Sequence, residues 1–159
     1  MLLAVATAFA IPGWSSSLDT LDHPLRSKLT AVLAALREEG FTPTLSNTWR
    51  SPAIQDVLAR VGSATEASGG QSCHNHLDSD GQPASRAADI WNRPLDLRLM
   101  LGVESRLLQE LAFLRALGRH AHAEGLRWGG DWHGHASAWT PHGLGWDPAH
   151  VELGRCAAG

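Results

Sequence analysis

The chain has 159 residues, enough for one domain with a single core and short for two. Hydrophobic residues make up 43% and charged residues 18%, which excludes an intrinsically disordered chain. A net charge of −3 gives no electrostatic basis for nucleic-acid binding.

In chain order, residues 2–11 form an apolar run, and Ala8-Phe9-Ala10 fits the small-residue pattern before a signal cleavage site. No Lys or Arg precedes it, and it is short of the about 20 residues a spanning helix needs. Residues 1–17 therefore read as an N-terminal extension or weak export signal, and 18–159 as the folded domain. No other segment is expected to span a membrane. Leu25, Leu29, Val32, Leu33 and Leu36 recur at helical spacing, with Pro24 suited to the first turn and Gly40 to the end. The spacing predicts a helix over 24–39. Residues 41–48 read as a strand. Ser51-Pro52 is an N-cap followed by proline at the first helical position, and Ile54, Val57, Leu58 and Val61 supply the apolar face of a second helix. Arg50 falls at the junction between them.

Residues 62–71 are small and polar and read as loop. Asp78-Ser79-Asp80-Gly81 matches part of a calcium loop, but the rest of that pattern is missing, so a solvated turn is expected. Residues 85–91 read as a strand, with Ala88 and Ile90 on one face and Ala87, Asp89 and Trp91 on the other. Leucine alternates with polar residues over 95–101, which suggests a further strand. Val103, Leu107, Leu108, Leu111, Leu114, Leu117 and Ala121 then mark a long helix closing at Gly125. His120 and His122 face different sides of it and are read as surface residues or as support behind a site. Residues 126–128 form a short strand, 129–145 an irregular loop and 149–153 a last strand. Helices flanking a small antiparallel sheet make an α+β domain.

The nine histidines are a rich supply, and six of them follow residue 119. His74, Asp89 and His150 sit beside predicted strands, and Asp147 precedes His150 by three residues. Two histidines, an aspartate and a spare carboxylate are what a catalytic zinc needs: three ligands, an open position for water and a base. The two cysteines form no Cys-x-x-Cys pair, so a cysteine zinc site is not expected. Cys73 and Cys156 read as free buried thiols, with a disulfide conceivable if the metal draws their segments together.

Ser72-Cys73-His74, Ala87-Ala88-Asp89 and Asp147-Pro148-Ala149-His150, in that order, resemble the zinc peptidases of the D-alanyl-D-alanine carboxypeptidase and L-alanyl-D-glutamate endopeptidase family. That family acts on bacterial cell-wall peptides. Arg50-Ser51 followed by Gln55 resembles its upstream motif, and Trp128-Gly129-Gly130-Asp131-Trp132 resembles its endopeptidase branch, which includes many phage endolysins. The resemblance covers about residues 18 to 155. One departure is the spacing: fourteen residues separate His74 from Asp89, more than the family uses. Residues 75–83 are read as a loop inserted between two strands. His76 competes with His74 as first ligand, but Ser72-x-His74 fits the pattern.

The resemblance implies a Hedgehog/DD-peptidase-like fold for 18–159 and a zinc ion held by His74, Asp89 and His150. Asp147 would be the general base and Arg50 the partner of the oxyanion. Ser72, Gln55, Trp128, Asp131 and Trp132 would contact a peptidoglycan peptide, with Trp139 and Trp146 as further cleft candidates and core packing their alternative. Glu152 would orient a ligand histidine. His133, His135 and His142 carry no assigned role. The implied activity is L-alanyl-D-glutamate endopeptidase, with a D-alanyl-D-alanine carboxypeptidase or a non-catalytic zinc module of the same fold as alternatives. The implied setting is a monomer, periplasmic or secreted, or a phage lysis protein.

Overall fold

Helix α1 (His23–Glu38) forms because its five leucine and valine positions make one stripe, and all five are buried. Its end is set by Gly40 at φ 87°, where the Gly40 and Phe41 amides donate back to the Arg37 and Leu36 carbonyls. The computed structural model of the chain describes residues 12–61, 67–93, 103–132 and 143–156. The apolar run at 2–11, the suggested strand at 95–101, Trp139, His133, His135 and His142 lie outside them.

A four-stranded antiparallel sheet follows the order β1 (Pro43–Asn47), β2 (Ala87–Asn92), β4 (His150–Glu152), β3 (Arg127–Trp128). Helix α3 (Val103–Ala123) packs beside α1 on one face. Alternation along the strands sends Ala88, Ile90, Val151 and Trp128 into the core with Leu111, Phe113, Leu114 and Leu117. The same alternation puts Asp89, His150, Glu152 and Arg127 on the opposite face. Leu107 and Leu108 on α3 are exposed, and Phe113 and Ala116 take core places that a leucine pattern does not reveal.

Helix α2 (Pro52–Arg60) starts where expected, with Ser51 Oγ accepting from the Ile54 amide. Its expected apolar face is not what it buries. Val57 and Val61 are 52% and 69% exposed, and the fully buried residue is Gln55. The helix lies off the main core and is tied to the following loop by polar bonds. Gln55 Nε2 donates to the Ala67 carbonyl, and Asp56 Oδ1 accepts from the Gly69 amide.

Three further expectations are corrected. A 3-10 turn, Cys73–Asn75, carries His74 in place of a strand. Asn75, expected to begin an inserted loop, is buried and structural: its Nδ2 donates to the Arg50 carbonyl and its Oδ1 accepts from the Gly70 and Ser72 amides. The exposed part of the insertion is the turn closed by the Leu77–Pro83 bridge, where Asp78 Oδ1 accepts from the Asp80 and Gln82 amides. The cysteines are not free: Cys73 and Cys156 form a disulfide across 83 residues. The expected convergence of their segments supplies the reason, since the Cα atoms stand 5.3 Å apart.

Residues 13–15, assigned to the extension from sequence, bond along the end of β1. The Ser15 amide donates to the Trp49 carbonyl, the Thr48 amide to the Ser15 carbonyl and Trp14 Nε1 to the Ser46 carbonyl. Among the described residues no helix is long and apolar enough to cross a membrane.

Candidate metal centre

Three elements deliver the site. β2 carries Asp89, β4 carries His150, and the 3-10 turn brings His74 over the sheet. Ser72 caps that turn by accepting from the His74 amide at 3.2 Å, which orients the turn above Asp89. The facing atoms form a small triangle: His74 Nε2 to His150 Nδ1 is 3.3 Å, His74 Nε2 to Asp89 Oδ1 3.4 Å and His150 Nδ1 to Asp89 Oδ1 3.0 Å.

The remaining polar atom of each residue is anchored behind the triangle. His74 Nδ1 lies 2.6 Å from the Thr48 carbonyl, which can only accept, so Nδ1 carries the proton and Nε2 keeps its lone pair. His150 Nε2 donates to Glu152 Oε2 at 3.3 Å. Asp89 Oδ2 accepts from Asn47 Nδ2 at 3.0 Å. Asn47 can do this because β1 bulges between Leu45 and Asn47, which moves Asn47 opposite Asp89 where Ser46 would otherwise stand. Glu152 is itself held by Arg127, whose guanidinium also lies over the Trp132 ring.

These contacts set the charges. Burial pushes the His74 ring down, leaving it a neutral imidazole. Burial also disfavours charge on His150, but its hydrogen bonds to Asp89 and Glu152 and the nearby Asp147 outweigh that and raise it to about 10. Burial alone would raise Asp89, yet His74 and His150 hold it well below the usual carboxylate range. His74 therefore presents a bare Nε2 to the triangle, and the proton on His150 Nδ1, held by Asp89 Oδ1, is the one a metal ion would displace.

That arrangement fits a zinc ion. Tetrahedral ligands about 2.0–2.1 Å from zinc lie about 3.3 Å from one another, the size of this triangle. The donor set of two imidazole nitrogens and one carboxylate oxygen suits the metal, and the anchored outer atoms are what orient metal ligands. His76, the competing ligand from sequence, turns away and places Nδ1 2.9 Å from the Ala84 carbonyl.

Asp147 stands beside the triangle, with Oδ2 3.8 Å from His150 Nδ1. Burial raises its carboxyl to about 6, with His150 and Arg50 pulling the other way. The Trp128–Trp132 run explains how Asp147 is placed. A Cβ on Gly129 would sit 2.0 Å from the Asp147 carbonyl, and one on Gly145 would sit 2.5 Å from the Gly129 carbonyl and the Trp132 nitrogen. Only glycine lets these two backbone segments lie directly against each other. The Trp146 amide then donates to the Trp132 carbonyl and the His150 amide to that of Asp147.

An open cavity of about 340 Å³ leads to this centre. Arg50, Ser72, Trp132, Trp146 and Asp147 line it together with His74 and His150. Trp132 stands against both His150 and Trp146, with ring centroids 5.0 and 5.4 Å away. Arg50 is buried, 3.9 Å from Asp89 Oδ2 and with its guanidinium carbon 5.9 Å from the Trp14 ring centroid, and burial lowers its pKa. Three sequence-predicted contact residues lie elsewhere among the described residues. Gln55 is fully buried on α2, where its Nε2 donates to the Ala67 carbonyl. Trp128 is in the core, with Nε1 donating to the Pro148 carbonyl. Asp131 is on the outer surface, paired with His122. Sequence reasoning missed Asn47, Thr48 and Arg127. The only available signal was that Asn47 and Thr48 end a strand running into Arg50.

No protein-family model matches the chain, and comparison with curated proteins gives no match. Solved structures do match. The L-Ala D-Glu endopeptidase ChiX of Serratia marcescens is 21% identical with a TM-score of 0.49, the match covering 86% of this chain and 83% of that one. The LD-carboxypeptidase LdcB, in a structure described as revealing the molecular basis of peptidoglycan recognition, is 16% identical with a TM-score of 0.50. That match covers 83% of this chain and 58% of LdcB, so the chain spans little more than half of its length. The chain shares its fold with LdcB, the DD-peptidase-like α+β fold expected from the sequence.

Proposed function

We propose that this chain is a zinc metallopeptidase that hydrolyses the stem peptides of peptidoglycan as an L-alanyl-D-glutamate endopeptidase. The observation that carries the reading is the triangle of His74 Nε2, Asp89 Oδ1 and His150 Nδ1, each residue braced from behind, with Asp147 at its edge. The fold shared with LdcB supports a peptidoglycan peptide as substrate. The choice of endopeptidase rests on the resemblance of the Trp128–Trp132 run.

Zinc bound by the three residues would acidify the attacking water and polarise the scissile carbonyl. Asp147 accepts the proton of that water and passes it to the leaving amine. Its raised pKa of about 6 suits this, since the carboxylate is ionised at neutral pH and still basic enough to take a proton. Arg50 offers its buried guanidinium to the oxyanion of the tetrahedral state. Trp132 and Trp146 hold the peptide at the cavity wall. A non-catalytic zinc module would need neither Asp147 nor Arg50 in these places. The Cys73–Cys156 disulfide supports an extracytoplasmic site of action, in the periplasm, after secretion or during phage lysis.

Mass spectrometry of fragments from purified peptidoglycan tests the proposal. Zinc-loaded protein is expected to release peptides beginning at D-glutamate. Fragments cut only in the glycan, or no fragments at all, would refute it.

A further inference from the structure

Among the described residues three arginines line the cavity, and two of them are matched by carboxylates of the protein. Arg50 faces Asp89, and Arg127 pairs with Glu152. Arg155 has no carboxylate partner among the described residues, although it lines the same cavity and is exposed to solvent. The other carboxylate on the cavity wall, Asp147, lies against His150. Among the described residues, Arg155 is therefore the arginine of the cleft that no carboxylate of the protein matches.

Its position is built. On one side, the end of β4 is fixed to Arg86: the Leu153 amide donates to the Arg86 carbonyl, and Arg86 Nη2 donates to the Leu153 carbonyl at 3.0 Å. Gly154, at φ 72°, then turns the chain in a conformation that other residues rarely adopt. On the other side, Cys156 is bonded to Cys73, the residue immediately before His74. Arg155 is thus clamped between two anchors, the second of which is tied to the turn that carries His74.

We propose that Arg155 is a specificity residue that binds a carboxylate of the peptide lying in the cleft. The ligand class rests on the peptidase reading. The charge argument needs only the cavity: a planar guanidinium with no carboxylate partner among the described residues pairs with a ligand carboxylate through two parallel hydrogen bonds. A divalent ion at the nearby triangle adds positive charge and strengthens the preference for an anionic ligand. Gln71 and Ser72 also line the cavity and carry no charge, so they offer a carboxylate no ion pair.

The test uses two peptides that differ only in one group, a free carboxylate or its carboxamide on the residue after the scissile bond. kcat/KM is measured for the zinc-loaded full chain and for Arg155→Gln and Arg155→Lys. Binding of both peptides is measured by tryptophan fluorescence, with and without the Arg155 substitutions, in Asp147→Asn protein. The acid-over-amide preference is expected to fall about tenfold in Arg155→Gln, through KM, which is the low end for a charge-assisted bond on an exposed group. Arg155→Lys should keep part of it, and added salt should erode it in the parent protein. An equal preference in the parent and Arg155→Gln would overturn the proposal. If neither peptide is cut but the acid binds in an Arg155-dependent way, the peptidase reading fails and the carboxylate site stands. If binding shows no such dependence, the site falls whatever the hydrolysis result.

Discussion

Replacing both Cys73 and Cys156 by serine should cost the protein a large share of its stability. The bridge spans 83 residues, more than half of the chain. In the chain-entropy account, closing a loop of that length in the unfolded state is worth about 4.5 kcal/mol. With a urea slope of about 2 kcal/mol per M, the unfolding midpoint should drop by about 2 M. The seven tryptophans make fluorescence a direct probe, and the titration should be run on metal-stripped protein so that zinc does not mask the loss. Because Cys73 precedes His74, zinc affinity should weaken in parallel. A loss of less than about 1 kcal/mol, with free thiols found in the parent protein, would refute the reasoning.

Asp147→Asn should keep its zinc and lose about 10²–10⁴ in kcat, measured by peptide turnover beside metal content. Gly129→Ala, whose Cβ would meet the Asp147 carbonyl at 2.0 Å, should lower stability by about 1–3 kcal/mol and cut turnover; a melting curve and rates like those of the parent would contradict the close packing. His150 gives a pH signature. Its folded pKa of about 10 is raised, so in metal-free protein its stabilisation is complete below the unfolded value of about 6.5 and is lost as pH rises toward 10. Zinc must displace the Nδ1 proton, so zinc affinity should rise about tenfold per pH unit over that range, as competition titrations would report; a flat profile would contradict it. Shortening the exposed turn at 77–83 while keeping Asn75 and His76 should leave zinc content and melting temperature near those of the parent.

Much of this architecture was legible because single residues carry strong local signals. Pro24, the leucine stripe and Gly40 fix α1 to within a residue. Ser51-Pro52 fixes the start of α2, and alternation around Asp89 separates the site face of β2 from its core face. His74, Asp89 and His150 were found by motif order, and His76 was set aside for the same reason. What was not legible depends on tertiary partners. Val57 and Val61 look like a buried face but have no core to meet, while Gln55 is buried because Ala67 supplies a carbonyl. Asn47 reaches Asp89 only through a bulge that pairing creates, and Thr48 contributes a backbone carbonyl that carries no sequence signature. Trp128 looked like a cleft residue, but strand register turns it inward. The disulfide needed the sheet to bring the tail beside the 3-10 turn.

The central claim is that His74, Asp89 and His150 together hold one zinc ion. Elemental analysis of purified protein, with Asp89→Ala compared against Asp147→Ala, tests it most directly. The account predicts one zinc per chain in the parent and in Asp147→Ala, and loss of the metal in Asp89→Ala. Full zinc in Asp89→Ala would contradict it.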